Sequence, residues 1–121
     1  MQPFRDVKVW EKSHHLCLHV HKAVLAFPEE ERQGLAAHLR RIASYIPCKI
    51  AEGSGRGGDK ELAKFLGNAQ GYAAELEYLL LLARDLGLLD EAAHEALNAQ
   101  AVEVQKMLYG FVKTLKGRIE A

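Results

Sequence analysis

The longest regular apolar pattern of the chain lies in residues 59–86. Apolar side chains recur there at spacings of three and four residues, the period of one helix face, at Leu62, Phe65, Leu66, Ala69, Tyr72, Ala73, Leu76, Leu79, Leu80, Ala83 and Leu86. Asp59 is a suitable N-cap for this helix, and Gly87 suits the left-handed residue that follows a helix. A face this broad must be buried against other elements, so the stripe predicts a helix inside a packed bundle.

Two earlier segments have the same period. Residues 7–26 predict a first helix with its inner stripe at Val9, Ser13, Leu16, Cys17, Val20 and Val24. The opposite face carries polar residues that we expect to contact solvent or a neighbouring subunit, at Lys8, His15, His19 and Lys22. A second helix is predicted over residues 35–52, with its inner side at Leu35, Leu39, Ile42, Ile46 and Ile50.

Proline and glycine predict where the second helix bends and ends. Pro47 lacks an N–H and its ring clashes with the preceding turn, so we expect a kink there. The glycine-rich residues 53–58 have too much backbone freedom for a helix, which predicts an end at Glu52. Asp90 is expected to cap a fourth helix, whose inner residues are Leu97, Val104, Leu108, Phe111, Leu115 and Ile119.

These segments predict an all-α fold. No strand-like alternation remains, and 121 residues suffice for one domain covering residues 1–121. Four helices joined by short connections favour an antiparallel up-down-up-down four-helix bundle. The composition, 49% apolar and 26% charged, is that of a globular protein.

The predicted third helix carries a second apolar face. Tyr78, Leu81 and Leu82 point away from the stripe centred on Leu76. Such a face is normally covered by another chain, which predicts a homo-oligomer with these three residues in its interface. The alternative is that the other helices surround this helix more completely.

Charge is unevenly distributed along a chain whose net charge is zero. Residues 32–64 contain seven Lys or Arg and three Asp or Glu, a local net charge of +4. This region predicts a surface for an anionic partner, whereas the neutral total disfavours strong non-specific nucleic-acid binding by a monomer.

Metal and catalytic motifs are poorly supported. Two E-x-x-H pairs occur, Glu11–His14 and Glu91–His94. Glu11 and His14 lie well off the apolar stripe of the first helix, and Glu91 is at the frayed start of the fourth, so the ligands do not converge as a di-iron bundle requires. Residues 53–58 lack the G-K-[ST] ending and preceding strand of a phosphate loop, although Arg56 could hold one phosphate of a polymer. We therefore expect no enzymatic activity, no metal centre and no cofactor. The histidines of the first helix, at His14, His15, His19 and His21, leave metal binding or pH-sensitive assembly as alternatives.

The N-terminal residues and the cysteines predict a compartment. Residues 1–6 lack the apolar region of a signal peptide, and no apolar run is long enough to span a membrane. Cys17 and Cys48 stand alone, which favours reduced thiols over a disulfide or zinc site. These features predict a cytoplasmic protein.

Several sequence runs carry a family resemblance. They are F-R-D-V-K-V-W at residues 4–10, F-P-E-E-E at 27–31, G-L at 34–35, L-R-R-I-A-S-Y-I-P at 39–47, I-A-E-G at 50–53, G-R at 55–56, K-F-L at 64–66 and E-L-E at 75–77. The chain resembles the four-helix-bundle family encoded in intervening sequences of bacterial 23S rRNA genes. That family is similar in fold to the accessory protein of diversity-generating retroelements, a pentameric nucleic-acid-binding barrel.

The resemblance implies a homopentamer that binds RNA or another nucleic acid. Carried onto this sequence, it implies binding by the basic residues Arg40, Arg41, Lys49, Arg56, Lys60 and Lys64. The alternative is that Arg41 and Arg56 make structural ion pairs with Glu52, which could also pair with Arg40 or with another subunit. The predicted function is thus a non-enzymatic homo-oligomeric module that binds RNA or acts as a scaffold. A purely protein–protein adaptor and a metal-binding bundle are the alternatives.

Overall fold

A computed structural model describes residues 3–121 of the chain. This part forms four α-helices: α1 (Lys8–Ala23), α2 (Leu35–Arg56), α3 (Asp59–Asp85) and α4 (Glu91–Glu120). Short 3-10 helices lie at Phe4–Asp6, Val24–Ala26 and Glu29–Glu31. Residues 3–121 contain no strand, and none of their helices is long and apolar enough to cross a membrane. The predicted all-α four-helix bundle is confirmed.

Each α-helix packs against the next one along the chain, and α4 closes the bundle by packing against α1. On α1 and α4, Lys12 contacts Glu103 and His19 contacts Gln100, so the two helices run in opposite directions. No contact joins α1 to α3 within the described residues. These two helices are therefore diagonal neighbours on opposite sides of the bundle.

The turns divide the bundle into two ends. We call the end that contains the α2–α3 turn the Gly57 end, and the end that contains the α3–α4 turn the Gly87 end. Arg118 near the end of α4 contacts Asp59 at the start of α3, which places the last turn of α4 at the Gly57 end. The connection between α1 and α2 lies at the Gly87 end.

The core consists mainly of the predicted stripes. Leu16, Ile46, Leu76 and Leu108 are fully buried, one from each helix. Six predicted core residues are not fully buried. Leu86 and Ile119 are 60% and 44% exposed, and four others are half-buried against the core: Cys17, Leu35, Tyr72 and Phe111. Leu86 and Ile119 lie outside the core because each is at the end of its helix, where the neighbouring helix no longer covers it.

The predicted end of α2 at Glu52 is wrong. The helix continues for one more turn to Arg56, and Gly53 and Ser54 are buried within it. A Cβ atom on Gly53 would lie 2.8 Å from Cβ of Phe65 on α3. Glycine is thus present because α2 and α3 approach closely at this point, and their packing outweighs the low helix propensity of glycine. Pro47 also lies inside α2, and the kink there stays a prediction.

The helix ends confirm two of the three predicted capping residues. Asp90 accepts a hydrogen bond at Oδ1 from the Ala93 amide, at 2.7 Å, as an N-cap does. Gly87 has a φ of +78°, and its amide donates to the Arg84 carbonyl in a Schellman-type turn. Asp59 is not the N-cap of α3, because Gly58 occupies that position and the Asp59 carboxylate binds Arg118 instead.

Candidate nucleic-acid interface

Three predicted basic residues surround the ring of Phe65 on the surface shared by α2 and α3. Lys49 Nζ, Arg56 Cζ and Lys64 Nζ lie 5.6, 5.3 and 5.9 Å from the ring centroid. Lys49 and Arg56 are seven residues apart, two helical turns, and so lie on the same face of α2. We call Lys49, Arg56, Lys64 and Phe65 the Phe65 cluster. The aromatic face holds the three cations close together, which their mutual repulsion would otherwise oppose.

Glu52 lies between two cations of this cluster. Its carboxylate oxygens accept hydrogen bonds from Lys49 Nζ and from Arg56 Nη2, both at 3.3 Å. The hydrogen bond from Arg56, and to a smaller extent that from Lys49, lowers the pKa of the Glu52 carboxyl below its usual value. The predicted ion pair between Arg56 and Glu52 is therefore present, whereas the expected pairing of Glu52 with Arg40 or Arg41 is wrong within this chain.

Aromatic side chains continue the same surface. The rings of Tyr45 on α2 and Tyr72 on α3 lie 5.0 Å apart, and Tyr45 is exposed. Tyr72 borders an open groove that also includes Lys49, Gly67 and Asn68. Gly67 has no heavy atom near the position of a Cβ, so the groove is not obstructed there. Glu75 also lines this groove, so its one positive charge is balanced by one carboxylate. A ring beside a cation can stack on a base while the cation binds a phosphate.

The structure does not bring all six predicted basic residues together. Arg41 is exposed one turn before Tyr45 on α2, and Lys60 is exposed in the first turn of α3. Arg40 lies on the α1 side of α2, where its Nη2 donates to the Arg32 carbonyl at 3.4 Å. It precedes Arg56 by 16 residues, a distance of about 24 Å along the helix. Arg40 is therefore separate from the Phe65 cluster.

Three basic residues near the end of α4 also lie at the Gly57 end: Lys113, Lys116 and Arg118. Arg118 Nε and Nη2 donate to the two carboxylate oxygens of Asp59, at 3.0 and 3.2 Å. The predicted antiparallel topology already implies that the end of α4 lies beside the turn between α2 and α3. The particular contact of Arg118 with Asp59 could be found only in the structure.

The packing also separates charge along the bundle. Residues 49–64 and 113–121, at the Gly57 end, contain seven Lys or Arg and four Asp or Glu. At the Gly87 end, residues 84–95 contain one Arg and four Asp or Glu. The chain is neutral overall, yet its Gly57 end is basic.

The histidines of α1 make separate contacts. His14 stacks on Trp10 with ring centroids 5.1 Å apart, and His19 Nδ1 lies 2.8 Å from Gln100 Oε1. His21 Nδ1 lies 2.9 Å from the Cys17 carbonyl oxygen. Within residues 3–121, no group of three or more metal-ligating side chains comes together.

The cysteines lie in different environments. Cys17 is half-buried between α1 and α2, with its Sγ 3.5 Å from Ser44 Oγ, whereas Cys48 is exposed. Burial is the main cause that raises the pKa of the Cys17 thiol; the Ser44 hydrogen bond opposes this shift and the Cys48 charge adds to it. Cys17 is therefore largely a neutral thiol at pH 7, not an activated nucleophile.

The predicted interface residues of α3 differ in exposure. Tyr78 and Leu81 are 58% and 37% exposed, whereas Leu82 is half-buried and packs against the core. The helices of this chain thus leave Tyr78 and Leu81 uncovered.

The fold and this surface define a class: a four-helix bundle with a basic and aromatic face on its second and third helices. Residues 5–110 match the model of the family described as 23S rRNA-intervening sequence protein. The chain belongs to this family, as the sequence runs predicted.

One solved structure gives the same fold. It is the crystal structure of a protein with unknown function from the S23 ribosomal protein family of Bacteroides thetaiotaomicron. The TM-score is 0.78 at 21% sequence identity, over 87% of this chain and 98% of the other. No curated protein matches the chain. The likeness to the solved structure therefore supports the bundle itself.

Proposed function

We propose that this chain is a non-enzymatic, homo-oligomeric helical module that binds RNA on the surface shared by α2 and α3. The observation that carries the proposal is the Phe65 cluster, in which three exposed or half-buried cations lie within 6 Å of one ring. The family description also refers to 23S rRNA.

The chemistry of the surface suits a single-stranded or looped RNA. Lys49, Arg56 and Lys64 would contact successive phosphates, because cations bind the backbone whatever the sequence. Tyr45 and Tyr72 lie next to Lys49 and offer rings on which unpaired bases can stack. The surface therefore favours flexible RNA over regular duplex.

Assembly would strengthen weak binding by one subunit. The exposed Tyr78 and Leu81 support contact with a second copy. A homo-oligomer repeats the Phe65 cluster once in each subunit, and several weak phosphate contacts then act together on one RNA. The resemblance to pentameric relatives suggests five subunits.

A protein–protein adaptor is the second candidate function. The observation that favours it is that Glu52 neutralises part of the charge of Lys49 and Arg56 inside the chain. In that case the basic residues only stabilise α2, and RNA does not bind. The metal-binding alternative has less support, because His19 and His21 contact groups other than each other.

Chromatography with light scattering tests the proposal directly. The wild-type protein is run at about 50 mM and about 500 mM salt with absorbance read at 260 and 280 nm, since phosphate contacts weaken steeply with salt. We expect a defined oligomer that retains RNA at low salt and releases it at high salt. A defined oligomer free of nucleic acid at both concentrations would favour the adaptor, and a monomer would contradict the proposed assembly.

Replacing Glu52 by Gln separates the two candidates further. The substitution removes one negative charge and frees Lys49 and Arg56, so we expect roughly a threefold to tenfold gain in RNA affinity. Glu61→Gln is the matched control, because Glu61 is exposed at the same end and makes no ion pair within residues 3–121. Fluorescence anisotropy with a labelled single-stranded RNA measures both. Equal gains in the two variants would show that Lys49 and Arg56 are not specifically involved.

A further inference from the structure

The outer face of α4 changes its charge near the middle of the helix. The first half carries three glutamates and the second half three lysines, and all six side chains are exposed: Glu91, Glu95, Glu103, Lys106, Lys113 and Lys116. With about 3.6 residues per turn, these positions lie on one side of α4, opposite the buried residues Leu97, Val104 and Leu115. The helix therefore presents one acidic half and one basic half to the solvent.

Contacts within the chain do not explain this pattern. Of the six side chains, only Glu103 makes an ion pair within residues 3–121, with Lys12 at 3.5 Å. The helix macrodipole favours acidic residues in the first turn and basic residues in the last turn. Glu103 and Lys106 lie in the middle of this 30-residue helix, where the macrodipole has little effect. The pattern therefore suits a partner outside the chain.

Small residues lie between the charged ones on the same face. Ala92, Ala99, Gly110 and Gly117 are all exposed. Neither glycine has a positive φ, and a Cβ built on either one would meet no heavy atom within 4 Å. Glycine costs about 1 kcal/mol relative to alanine inside a helix, and no contact in the described part of the chain requires it here. Small residues at a contact let the axes of two helices come closer together.

One register pairs both patterns when two copies of α4 lie antiparallel. Residues of the two copies then face each other when they are equally far from a two-fold axis, which we place between residues 104 and 105. This axis sets Ala92 opposite Gly117 and Ala99 opposite Gly110. It also sets Glu103 opposite Lys106, and it brings the two remaining glutamates within reach of the two remaining lysines. The small residues and the charges therefore agree on the same register.

A groove between α3 and α4 has the shape for this contact. It has a volume of about 550 Å³ and is lined in part by Gln70, Tyr109, Val112 and Lys113. The register places the first turns of the second copy's α4 over this groove, with its acidic side chains next to the lysines. Tyr109 is 63% exposed and would pack beside Ala99 of the second copy. Shape and charge thus favour the same occupant.

We propose that the outer face of α4 binds the same face of a second copy, antiparallel and about a two-fold axis between residues 104 and 105. A two-fold contact uses the same surface on both copies, so no second site is needed. The contact involves neither Tyr78 and Leu81 nor the Phe65 cluster, and it therefore goes beyond the proposed function. Exposed ion pairs are weak and screened by salt, so the contact is strongest at low salt.

Cysteine cross-linking tests the register. In a chain with Cys17→Ser and Cys48→Ser, variant P carries Ala99→Cys and variant Q carries Gly110→Cys. The two are mixed at about 50 mM salt, where screening is weak, with oxidised glutathione as the oxidant. We expect a disulfide-linked P–Q dimer, identified by its mass. Each variant alone should give little dimer, because two copies of the same residue lie as far apart as residues 99 and 110, about 16 Å along the helix.

Charge reversal tests the electrostatic part of the contact. Adding Glu91→Lys and Glu95→Lys to variant P should lower the yield of P–Q dimer by about threefold or more, because like charges then face each other. Adding Lys113→Glu and Lys116→Glu to variant Q should restore the yield, because every charged pair of the contact is then complementary again.

A matched control separates the contact from the total charge. Adding Glu11→Lys and Glu61→Lys to variant P introduces the same charge at exposed sites on α1 and α3. The yield of P–Q dimer should then stay that of unmodified P with Q. Circular dichroism checks that every variant keeps the helicity of the wild type.

Three results would overturn the inference. Equal dimer yields in the mixture and in the single variants would show that the register is wrong, and a mixture without dimer would show that the contact is absent. If no dimer forms and Lys113→Glu with Lys116→Glu lowers RNA affinity by about tenfold, the face binds RNA instead of a second copy. The proposed function would stand in each case, because its oligomer and its bound RNA are measured separately on the wild type.

Discussion

Replacing Lys49, Arg56 and Lys64 together by Ala is expected to weaken RNA binding by about 100-fold at low salt. Each charge-assisted phosphate contact contributes about 1 kcal/mol or more, and 1.4 kcal/mol corresponds to a tenfold change in affinity. The dependence of binding on salt should also decrease, by about 0.7 in log–log slope for each phosphate of a single strand that the variant no longer binds. Anisotropy titrations at several salt concentrations measure both quantities.

A charge-matched variant shows whether position matters. Arg5→Ala, Lys8→Ala and Lys106→Ala remove the same total charge from exposed sites outside the Phe65 cluster. We expect the RNA affinity of this control to fall only several-fold, because only the overall electrostatic attraction between protein and RNA becomes weaker. Equal losses in the two triple variants would refute a specific role for the Phe65 cluster. All of the replaced residues are exposed or half-buried, so both proteins should keep their helicity.

Gly53→Val is expected to destabilise the bundle by about 3 kcal/mol, near the upper end for overpacking a core. A Cβ at this position would lie 2.8 Å from Phe65 Cβ and 3.2 Å from Leu62 Cδ1, and valine adds two further methyl groups. Phe65 Cβ is next to the backbone and cannot rotate away, so α2 and α3 would have to move apart. Urea denaturation followed by circular dichroism gives the free energy of unfolding.

Gly55→Val provides the comparison within the same turn of α2. No heavy atom lies within 4 Å of a Cβ built on Gly55, so only helix propensity changes. Valine is slightly better than glycine in a helix, and we expect a gain of no more than about 0.5 kcal/mol. If Gly55→Val lost as much free energy of unfolding as Gly53→Val, glycine at both positions would be required by the backbone conformation and not by the α2–α3 contact. Movement of Phe65 in Gly53→Val should also weaken RNA binding, because Phe65 holds the three cations together.

Helix positions could be predicted from the sequence because each apolar stripe is a local property. The stripe of α3 predicts both its extent and its buried face, and Asp90 and Gly87 mark the turn that follows. The end of α2 could not be predicted in this way. The glycines at 53 and 55 look like a helix breaker in isolation, and only the approach of Phe65 explains why the helix continues past Gly53.

The candidate site was predictable only in part. The sequence indicated basic residues in the middle third, and Lys49, Arg56 and Lys64 do come together around Phe65. Arg40 was grouped with them through the family resemblance and the charge of the middle third, although it lies on the α1 side of α2. Nucleic-acid binding stays a prediction for all six basic residues, as do the RNA partner and the number of subunits.

The sequence by itself determined the helices, the family and the presence of a basic region in a neutral chain. Periodicity, capping residues and charge counts are properties of neighbouring residues, and they need no knowledge of the fold. The tertiary structure alone decided which residues from different helices meet, such as Phe65 with Gly53 and Arg118 with Asp59. Such contacts depend on how the helices pack, and packing is a property of side-chain shape over the whole bundle.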